Sequence, residues 1–306
     1  MRIHIKLMDR GWIFEYAANM LKQLTDNTIH KITISEYALD DADVNLYFNW
    51  HGLTSKTKGL DIPYFTHYET RLYKDVLPRL KLADGIICMS NEGYRMLRMI
   101  TDRPIWIIPL GYDKLVVRRI VIGISGRTYM ETDRKGESDL KYIVSGLSTI
   151  EKDFLSFLFL GTGWDDISTY LVDRNIPCRL LRDATDLTIK STFYQSIDYY
   201  LSLGLDEGGP QGILDAFATG VPVISTPVGY SFDLIPDYTF SHVEQLSAII
   251  KQLIKAKTER MVKVKDYTWE NFASNVIKFC ERVPSVIEEQ RKEKELQWQE
   301  ERKQYS

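Results

Sequence analysis

Two carboxylates and a pair of glycines stand close together in the second half of the chain. Glu207, Gly208 and Gly209 follow a short apolar run, and Asp215 comes eight positions after Glu207 on a predicted helix. A turn from a strand into a helix presents backbone N–H groups that bind an anion. Carboxylates beside that turn accept hydrogen bonds from hydroxyl groups, so the segment predicts a site for a hydroxyl-rich ligand. The alternative is that the two acids only complement the positive end of the helix dipole.

Cations follow another predicted strand of the same half. Gly126 and Arg127 come directly after the strand predicted at residues 119–125, and Lys135 lies eight positions beyond Arg127. Fixed cations can stabilise negative charge on a bound group without a metal ion. The two side chains are therefore candidates for contact with an anion, with a pair of solvated surface cations as the alternative.

The elements that would position these residues are short apolar runs that alternate with helical patterns. The alternation predicts parallel α/β layers in both halves, and Pro109 and Gly111 interrupt it as a linker would. We therefore expect one domain at residues 1–117, a second at 118–268, and C-terminal helices with a charged tail at 269–306. The predicted strands are residues 3–8, 31–35, 44–49, 63–67, 85–90 and 105–108, then 119–125, 155–160, 178–181, 199–203 and 222–225. The predicted helices are residues 14–24, 72–82 and 92–100, then 138–148, 164–175, 187–196 and 210–219.

The stretch from residue 199 to residue 229 resembles the signature of retaining glycosyltransferases of family 4, the group 1 type. In that signature an E-x7-E pattern is preceded by a strand and followed by A-x-A-x-G-x-P-V-I. This chain has Glu207, then Asp215, then Ala216-Phe-Ala-Thr-Gly-Val-Pro-Val-Ile224. The second acid is aspartate, a shorter arm than the glutamate that the family uses on the ribose. Gly126-Arg127 followed by Lys135-Gly136 resembles the family's G-R…K-G motif.

The resemblance implies a GT-B fold, in which two Rossmann-like domains face each other across a cleft. Residues 1–117 would then bind the acceptor, and residues 118–268 would bind the nucleotide sugar. The implied reaction transfers a hexosyl-type unit, with retention, from a nucleoside diphosphate sugar to an acceptor hydroxyl. The family route uses neither a covalent nucleophile nor a metal ion. We accordingly expect no cofactor besides the nucleoside diphosphate sugar, which is the donor substrate.

The same resemblance assigns roles to individual residues. Glu207 would contact the hydroxyls of the donor sugar, while Arg127 and Lys135 would hold the diphosphate. His67 ends a predicted strand where the family often places a histidine near the sugar, although a lone histidine there is commonly structural. Arg182 would face the base, the pyrophosphate or solvent. The catalytic residues implied are Glu207, Arg127, Lys135 and His67, and the donor-binding residues are Gly11, Gly126, Arg127, Lys135, Arg182, Glu207, Gly208, Gly209, Gln211, Gly212, Ile213 and Asp215.

Composition excludes several other classes of protein. The 306 residues carry a formal net charge of −3, which does not fit a nucleic-acid binder. The three cysteines are far apart, as in a reduced cytoplasmic chain, and the five histidines are too scattered for a zinc site. The first residues alternate in polarity unlike a signal peptide, and no apolar run is long enough to span a membrane.

The partners expected from these observations are a nucleotide sugar and a glycan or lipid-linked acceptor. Residues 71–103 carry seven bases and four acids interleaved with apolar residues, which predicts at most a weak, salt-sensitive contact with an anionic membrane surface. Two other functions stay open at this point. One is another GT-B enzyme, such as a nucleotide-sugar epimerase, and the other is a non-catalytic partner that binds a sugar nucleotide.

Overall fold

The computed structural model describes residues 1–8, 10–66, 73–128, 133–205 and 208–304. The chain divides into two compact units. Unit 1 consists of Met1–Lys114 and Val264–Ser306, and unit 2 consists of Leu115–Lys263. Residues 269–306, which the sequence set apart as a C-terminal segment, therefore belong to unit 1.

Unit 1 is built around a parallel sheet. Among the described residues this sheet has six strands in the order β2-β1-β3-β4-β5-β6, and each described pairing is parallel. The strands are β1 (Arg2–Lys6), β2 (Lys31–Ser35), β3 (Val44–Tyr47), β4 (Leu60–Phe65), β5 (Ile86–Cys88) and β6 (Ile105–Ile107). The helices, numbered in chain order, are α1 (Ile13–Leu24), α2 (Tyr73–Leu82), α3 (Asn91–Arg98) and α11 (Trp269–Gln304).

Helix α11 completes the core of unit 1. Phe272, Val276, Phe279 and Val283 recur at the spacing of one helix face and are all buried. They pack in one cluster with Ile3 and other residues of β1, β3 and α1. Beyond this stretch the helix continues with exposed charged side chains, which agrees with the mixed-charge pattern of the tail.

Most described apolar side chains of the basic segment at residues 71–103 pack in or against the core clusters of unit 1. Val76, Leu80 and Leu97 are buried in a core cluster, whereas Tyr73 and Met99 are exposed. The apolar surface left beside the bases is therefore small. Within the described parts of the chain, every helix is too short or too polar to cross a lipid bilayer.

Unit 2 is a second parallel α/β unit. Its described strands number six, in the order β12-β11-β10-β7-β8-β9, and each described pairing is parallel. The strands are β7 (Ile120–Ser125), β8 (Leu155–Leu160), β9 (Cys178–Leu181), β10 (Tyr199–Ser202), β11 (Val223–Ser225) and β12 (Tyr238–Thr239). The helices are α4 (Glu137–Ser145), α5 (Thr149–Asp153), α6 (Asp165–Val172), α7 (Leu187–Ser196), α8 (Gln211–Thr219), α9 (Ser231–Leu234) and α10 (Val243–Val262).

The strand order of unit 2 locates a switch point. Counted within the unit, the strands lie in the order 6-5-4-1-2-3, which is the order of dinucleotide-binding folds read from the other edge. The connections reverse direction between β7 and β10, and parallel α/β sheets bind ligands at the carboxyl ends of strands at such a point. The predicted fold class, two Rossmann-like α/β domains, is confirmed by the topology of the two units.

Candidate functional site

A cavity of about 310 Å³ lies at the switch point of unit 2. Its walls come from the carboxyl ends of β7 and β10, from α7, and from the first half of α8. At a switch point of a parallel sheet, the helices that follow the two neighbouring strands pack on opposite faces of the sheet. A crevice is therefore left at the carboxyl ends of those strands. The cavity volume is at the lower end of the range typical of small-molecule sites.

The β7 wall of the cavity brings Gly126 and Lys135 together. Gly126 has φ 130°, a backbone conformation that side chains rarely adopt. A Cβ atom at this position would lie 3.2 Å from Lys135 Cε and 3.3 Å from Lys135 Nζ. The absence of a side chain at Gly126 therefore leaves room for the Lys135 ammonium group in the cavity wall.

Other contacts hold the turn after β7 in place. The Trp164 indole Nε1 donates to the Gly126 carbonyl oxygen at 2.9 Å, and the Gly126 N–H donates to the Leu160 carbonyl oxygen at 2.9 Å. At Gly161, which has φ 119°, a Cβ atom would overlap the same Gly126 carbonyl oxygen. The turn beside which the Lys135 side chain lies is thus fixed by a buried tryptophan and by two glycines in close approach.

The approach to α4 fixes the backbone on the other side of Lys135. Asp133, with φ 47°, accepts hydrogen bonds from the Ser138 N–H at 2.8 Å and from the Ser138 hydroxyl. Burial alone would raise the pKa of Asp133, but the bonds from Ser138 lower its pKa below the usual value. Gly136 has φ 69°, and a Cβ atom there would lie 2.6 Å from Leu203 Cβ. This glycine lets the residue after Lys135 approach the end of β10.

Helix α8 forms the opposite wall. It begins at Gln211 after Pro210, which has φ −65°, and it ends at Gly220 in the left-handed conformation. At Gly212 a Cβ atom would overlap the Tyr200 hydroxyl and would lie 2.6 Å from Ser125 Oγ. Those two hydroxyl oxygens are 2.9 Å apart and share a hydrogen bond. The first turn of α8 thus rests directly on the ends of β7 and β10.

The close approach at Gly212 predicts a measurable cost of adding one methyl group. We expect Gly212→Ala to lower the free energy of unfolding by about 1–3 kcal/mol, as overpacking of an interior does. Alanine is intrinsically better than glycine in a helix by up to about 1 kcal/mol, so any loss reports the steric contact. Urea unfolding of the purified variant measures it.

Gly208→Ala is the matched control for this measurement. A Cβ atom at Gly208 would have none of the described residues within 4 Å apart from its chain neighbours, so its alanine variant should be as stable as the wild type. Equal unfolding free energies for Gly212→Ala and the wild type would contradict the prediction, because Tyr200 would then have moved aside without cost.

Asp215 lies in the cavity wall and is held by three neighbours. Its Oδ2 is 2.6 Å from the Lys190 ammonium nitrogen, and its Oδ1 accepts from Gln211 Nε2 at 3.2 Å. The Tyr194 hydroxyl is 3.5 Å from Oδ2 and donates to the Gly212 carbonyl oxygen at 3.3 Å. Burial raises the pKa of Tyr194 well above its usual value.

Lys190 is the residue of this site that sequence reasoning missed. It carries no motif and lies on a helix that was predicted only from its periodicity. One signal was present in the printed sequence: within α7 Lys190 is the only charged residue, and within α8 the only one is Asp215. These two single charges of opposite sign could pair only if the helices are neighbours, which the sequence alone does not show. Ser125, Tyr194 and Tyr200 also line the cavity without having been predicted.

The structure gathers part of the predicted donor-binding set in this cavity. Gly126, Lys135, Gln211, Gly212 and Asp215 all line it. Ser202 and Gly204 at the end of β10 complete the wall between them. Segments that are far apart in the chain, one after β7 and one beginning α8, therefore meet at a single place in unit 2.

Other predicted residues of unit 2 lie elsewhere. Arg182 forms an exposed ion pair with Asp165, with Nη2 2.6 Å from Oδ1, and this bond lowers the pKa of Asp165. Ile213 is 0% exposed and packs in the core beneath α8. A Cβ atom at Gly209 would lie 2.9 Å from the Tyr230 ring. Arg127, Arg182, Gly208, Gly209 and Ile213 are not among the described residues that line the cavity.

Three further predicted site residues lie away from this cavity or outside the described residues. Gly11 belongs to unit 1, has φ 73°, and donates its N–H to Glu15 Oε2 at 2.6 Å. His67 and Glu207 lie outside the described residues. Within the described parts of the chain, no three His, Cys, Asp or Glu side chains are grouped as metal ligands.

Comparison with known proteins gives likenesses among solved structures alone. No family model matches the chain, and no curated protein matches its sequence. The lipopolysaccharide outer core galactosyltransferase WaaB, in its apo form, is 12% identical with a TM-score of 0.39, over 92% of this chain and 99% of that one. HepE of Anabaena, in complex with UDP and glucose, is 11% identical with a TM-score of 0.35, over 91% and 98% of the two chains. TarM is 14% identical with a TM-score of 0.35, over 90% of this chain and 57% of its own.

Proposed function

We propose that this chain is a retaining glycosyltransferase that moves a hexosyl-type sugar from a nucleoside diphosphate sugar to an acceptor hydroxyl. The observation that carries the proposal is that Lys135 and the first half of α8, including Asp215, line the same cavity of unit 2. These are the two segments whose residues resemble the donor motifs of family 4. Their meeting at the switch point of a parallel sheet is what a donor site requires.

The cavity offers the charges that a diphosphate needs. Lys135 supplies a cation beside Gly126, and the N-terminus of α8 supplies backbone N–H groups and the positive end of a helix dipole. Asp215 supplies carboxylate oxygens for hydroxyl groups of the nucleoside. Glu207, which precedes α8 in the chain, is the proposed contact with the hydroxyls of the donor sugar.

In the proposed reaction the acceptor oxygen forms a bond to the anomeric carbon of the sugar. The bond from that carbon to the β-phosphate oxygen breaks, and the acceptor proton passes to the departing phosphate on the same face. Negative charge therefore grows on the leaving diphosphate, where Lys135 and the α8 N-terminus stabilise it more strongly than in the ground state. The protein contributes orientation and charge, and we assign no side chain as a covalent nucleophile.

A panel of nucleotide sugars tests the proposal. UDP-, GDP-, dTDP- and CMP-sugars would each be added to the purified protein, and thermal shift would identify those that bind the folded state. Turnover of the bound donor with and without simple sugar or lipid-linked acceptors then follows by product analysis. Release of nucleotide with an α-linked product from an α-linked donor supports retention. An epimerised nucleotide sugar, or binding without turnover, would favour one of the two alternative functions instead.

Transfer by this site should not depend on a divalent cation. The proposed charge stabilisation comes from Lys135, Arg127 and the α8 N-terminus, so we expect EDTA to change the rate by less than about twofold. Transfer rates measured with EDTA, and then with added magnesium or manganese, check this. A rate that EDTA abolishes and manganese restores would contradict the metal-independent mechanism.

The proposal extends to the acceptor and to the cellular location. We propose a glycan or lipid-linked acceptor and a cytoplasmic protein whose basic segment in unit 1 makes at most a weak contact with anionic lipids. Sedimentation with anionic vesicles at low and high salt tests the contact. Because most of the described apolar residues of that segment pack in or against the core clusters of unit 1, any binding should be lost as salt screens the bases.

A further inference from the structure

The Lys190–Asp215 ion pair lies in the cavity wall and not on the outer surface of the unit. Both residues line the cavity, and their side chains are 29% and 19% exposed. An ion pair that is partly removed from water gives little net stability, because the cost of desolvating both charges offsets their attraction. A purely structural role is therefore a weak reason for a charged pair at this position.

The pair presents donors and acceptors side by side. The Lys190 ammonium has three N–H donors, and its one described ion pair is with Asp215 Oδ2. Each carboxylate oxygen of Asp215 can accept two hydrogen bonds; with Lys190 and Tyr194 at Oδ2 and Gln211 at Oδ1, the contacts described leave capacity at Oδ1. A ligand in the cavity can therefore both accept a hydrogen bond from the lysine and donate one to the aspartate.

Two adjacent hydroxyl groups are the ligand chemistry that matches this arrangement. One hydroxyl oxygen accepts from the ammonium group while its neighbour donates to the carboxylate, and both bonds are charge-assisted. A carboxylate alone offers only acceptors. The lysine adds a donor, so the pair fixes which hydroxyl accepts a hydrogen bond and which one donates. In a nucleoside diphosphate, the adjacent hydroxyls that are near the diphosphate but separate from the donor sugar are those of the ribose.

We propose that Lys190 is a specificity-determining residue, which together with Asp215 binds the adjacent 2′- and 3′-hydroxyls of the ribose of a nucleoside diphosphate. This proposal rests on the proposed function, since it needs a nucleotide in the cavity of unit 2. It assigns the distinction between ribonucleotide and deoxyribonucleotide donors to a lysine on α7. The shorter aspartate arm is then compensated by a second, cationic partner for the same diol.

Binding of matched ribo- and deoxyribonucleotides tests the proposal. UDP, GDP and ADP and their 2′-deoxy counterparts would be titrated by calorimetry into the wild type, Lys190→Met and Lys190→Arg. We expect the wild type to bind its preferred ribonucleotide at least about tenfold more tightly than the deoxy form, because the deoxy form leaves a polar group unpaired. Lys190→Met should reduce this ratio to within about twofold, and Lys190→Arg should retain most of it.

Two further variants separate recognition from structure. Lys255→Met removes an exposed lysine that is 3.8 Å from Glu259 in unit 2, and its binding ratio should equal that of the wild type. If Lys190→Met does not fold, the double variant Lys190→Met with Asp215→Asn leaves no unpaired charge in the cavity wall and should also lose the preference for ribose.

The outcomes distinguish this proposal from the proposed function. If the wild type binds ribo- and deoxyribonucleotides equally, or if Lys190→Met keeps the wild-type ratio, Lys190 does not read the ribose and only its role fails. If the wild type binds none of the nucleotides or nucleotide sugars tested, both proposals fail together.

Discussion

Lys135→Ala is expected to reduce the rate of sugar transfer by about 100- to 1,000-fold, the usual cost of removing one fixed charge stabiliser from a transition state. The Lys135 ammonium lies against Gly126 in the cavity wall, at the end of β7, where the departing diphosphate is proposed to bind. The nucleoside diphosphate product should also bind more weakly, because it carries the charge that Lys135 stabilises. Steady-state rates and calorimetric titration of the product measure the two effects.

Lys141→Ala is the control for this experiment. Lys141 is an exposed lysine on α4, and it does not line the cavity among the described residues. Its variant should transfer sugar at the wild-type rate.

Arg127→Ala is the companion variant, and we expect it also to weaken binding of the diphosphate. Unchanged nucleotide affinity in both Lys135→Ala and Arg127→Ala would show that the diphosphate is held elsewhere.

The second large effect is expected for Glu207→Ala, which should lose transfer while the protein still folds. Glu207 lies outside the described residues, so this expectation comes from its place in the motif between the β10 strand and Gly208. Loss of a charge-assisted contact that matters at the transition state costs about 2–4 kcal/mol of barrier, or roughly 30- to 1,000-fold in rate. Steady-state transfer rates at saturating donor measure it.

Two controls accompany the Glu207 variant. Circular dichroism and the melting temperature should match the wild type, because the sequence predicts Glu207 in a loop and not in a helix or strand. Asp233→Ala, which removes an exposed acid of α9 in the same unit, should keep the wild-type rate. Near-wild-type turnover of purified Glu207→Ala would remove this residue from the proposed mechanism.

The regular elements of both sheets were largely predictable because their patterns are local. The predicted strands at residues 155–160, 178–181 and 31–35 coincide with β8, β9 and β2. A buried parallel strand is a short apolar run, and its helix shows an apolar stripe, so about ten residues are enough to identify each. The four residues of α9 and the two of β12 are too few to show either period, and neither element was predicted.

The residues that flank helix α8 also show local patterns in the sequence. Gly220 ends α8 with φ 72°, as its place after an apolar helix indicated, whereas Pro210, predicted as the first helical residue, lies one position before the helix begins. The candidate site was recognised only where such local features coincide with charged residues, at Gly126 to Lys135 and at Glu207 to Asp215. Each of these segments carries its own backbone signal, so it could be found without knowledge of its neighbours.

The partners of the charged side chains depend on the fold. Lys190 meets Asp215 because α7 and α8 pack side by side next to β10, and Arg182 meets Asp165 across the ends of β9 and α6. Ile213 lies within the donor motif, yet it is buried because it is on the face of α8 that packs against the sheet. Sequence spacing along one helix or strand says which residues share a face, and only the order of the strands says which faces meet. The residues proposed to bind a nucleotide were therefore predicted from the chain, whereas Lys190 was identified only once the sheet had brought two helices together.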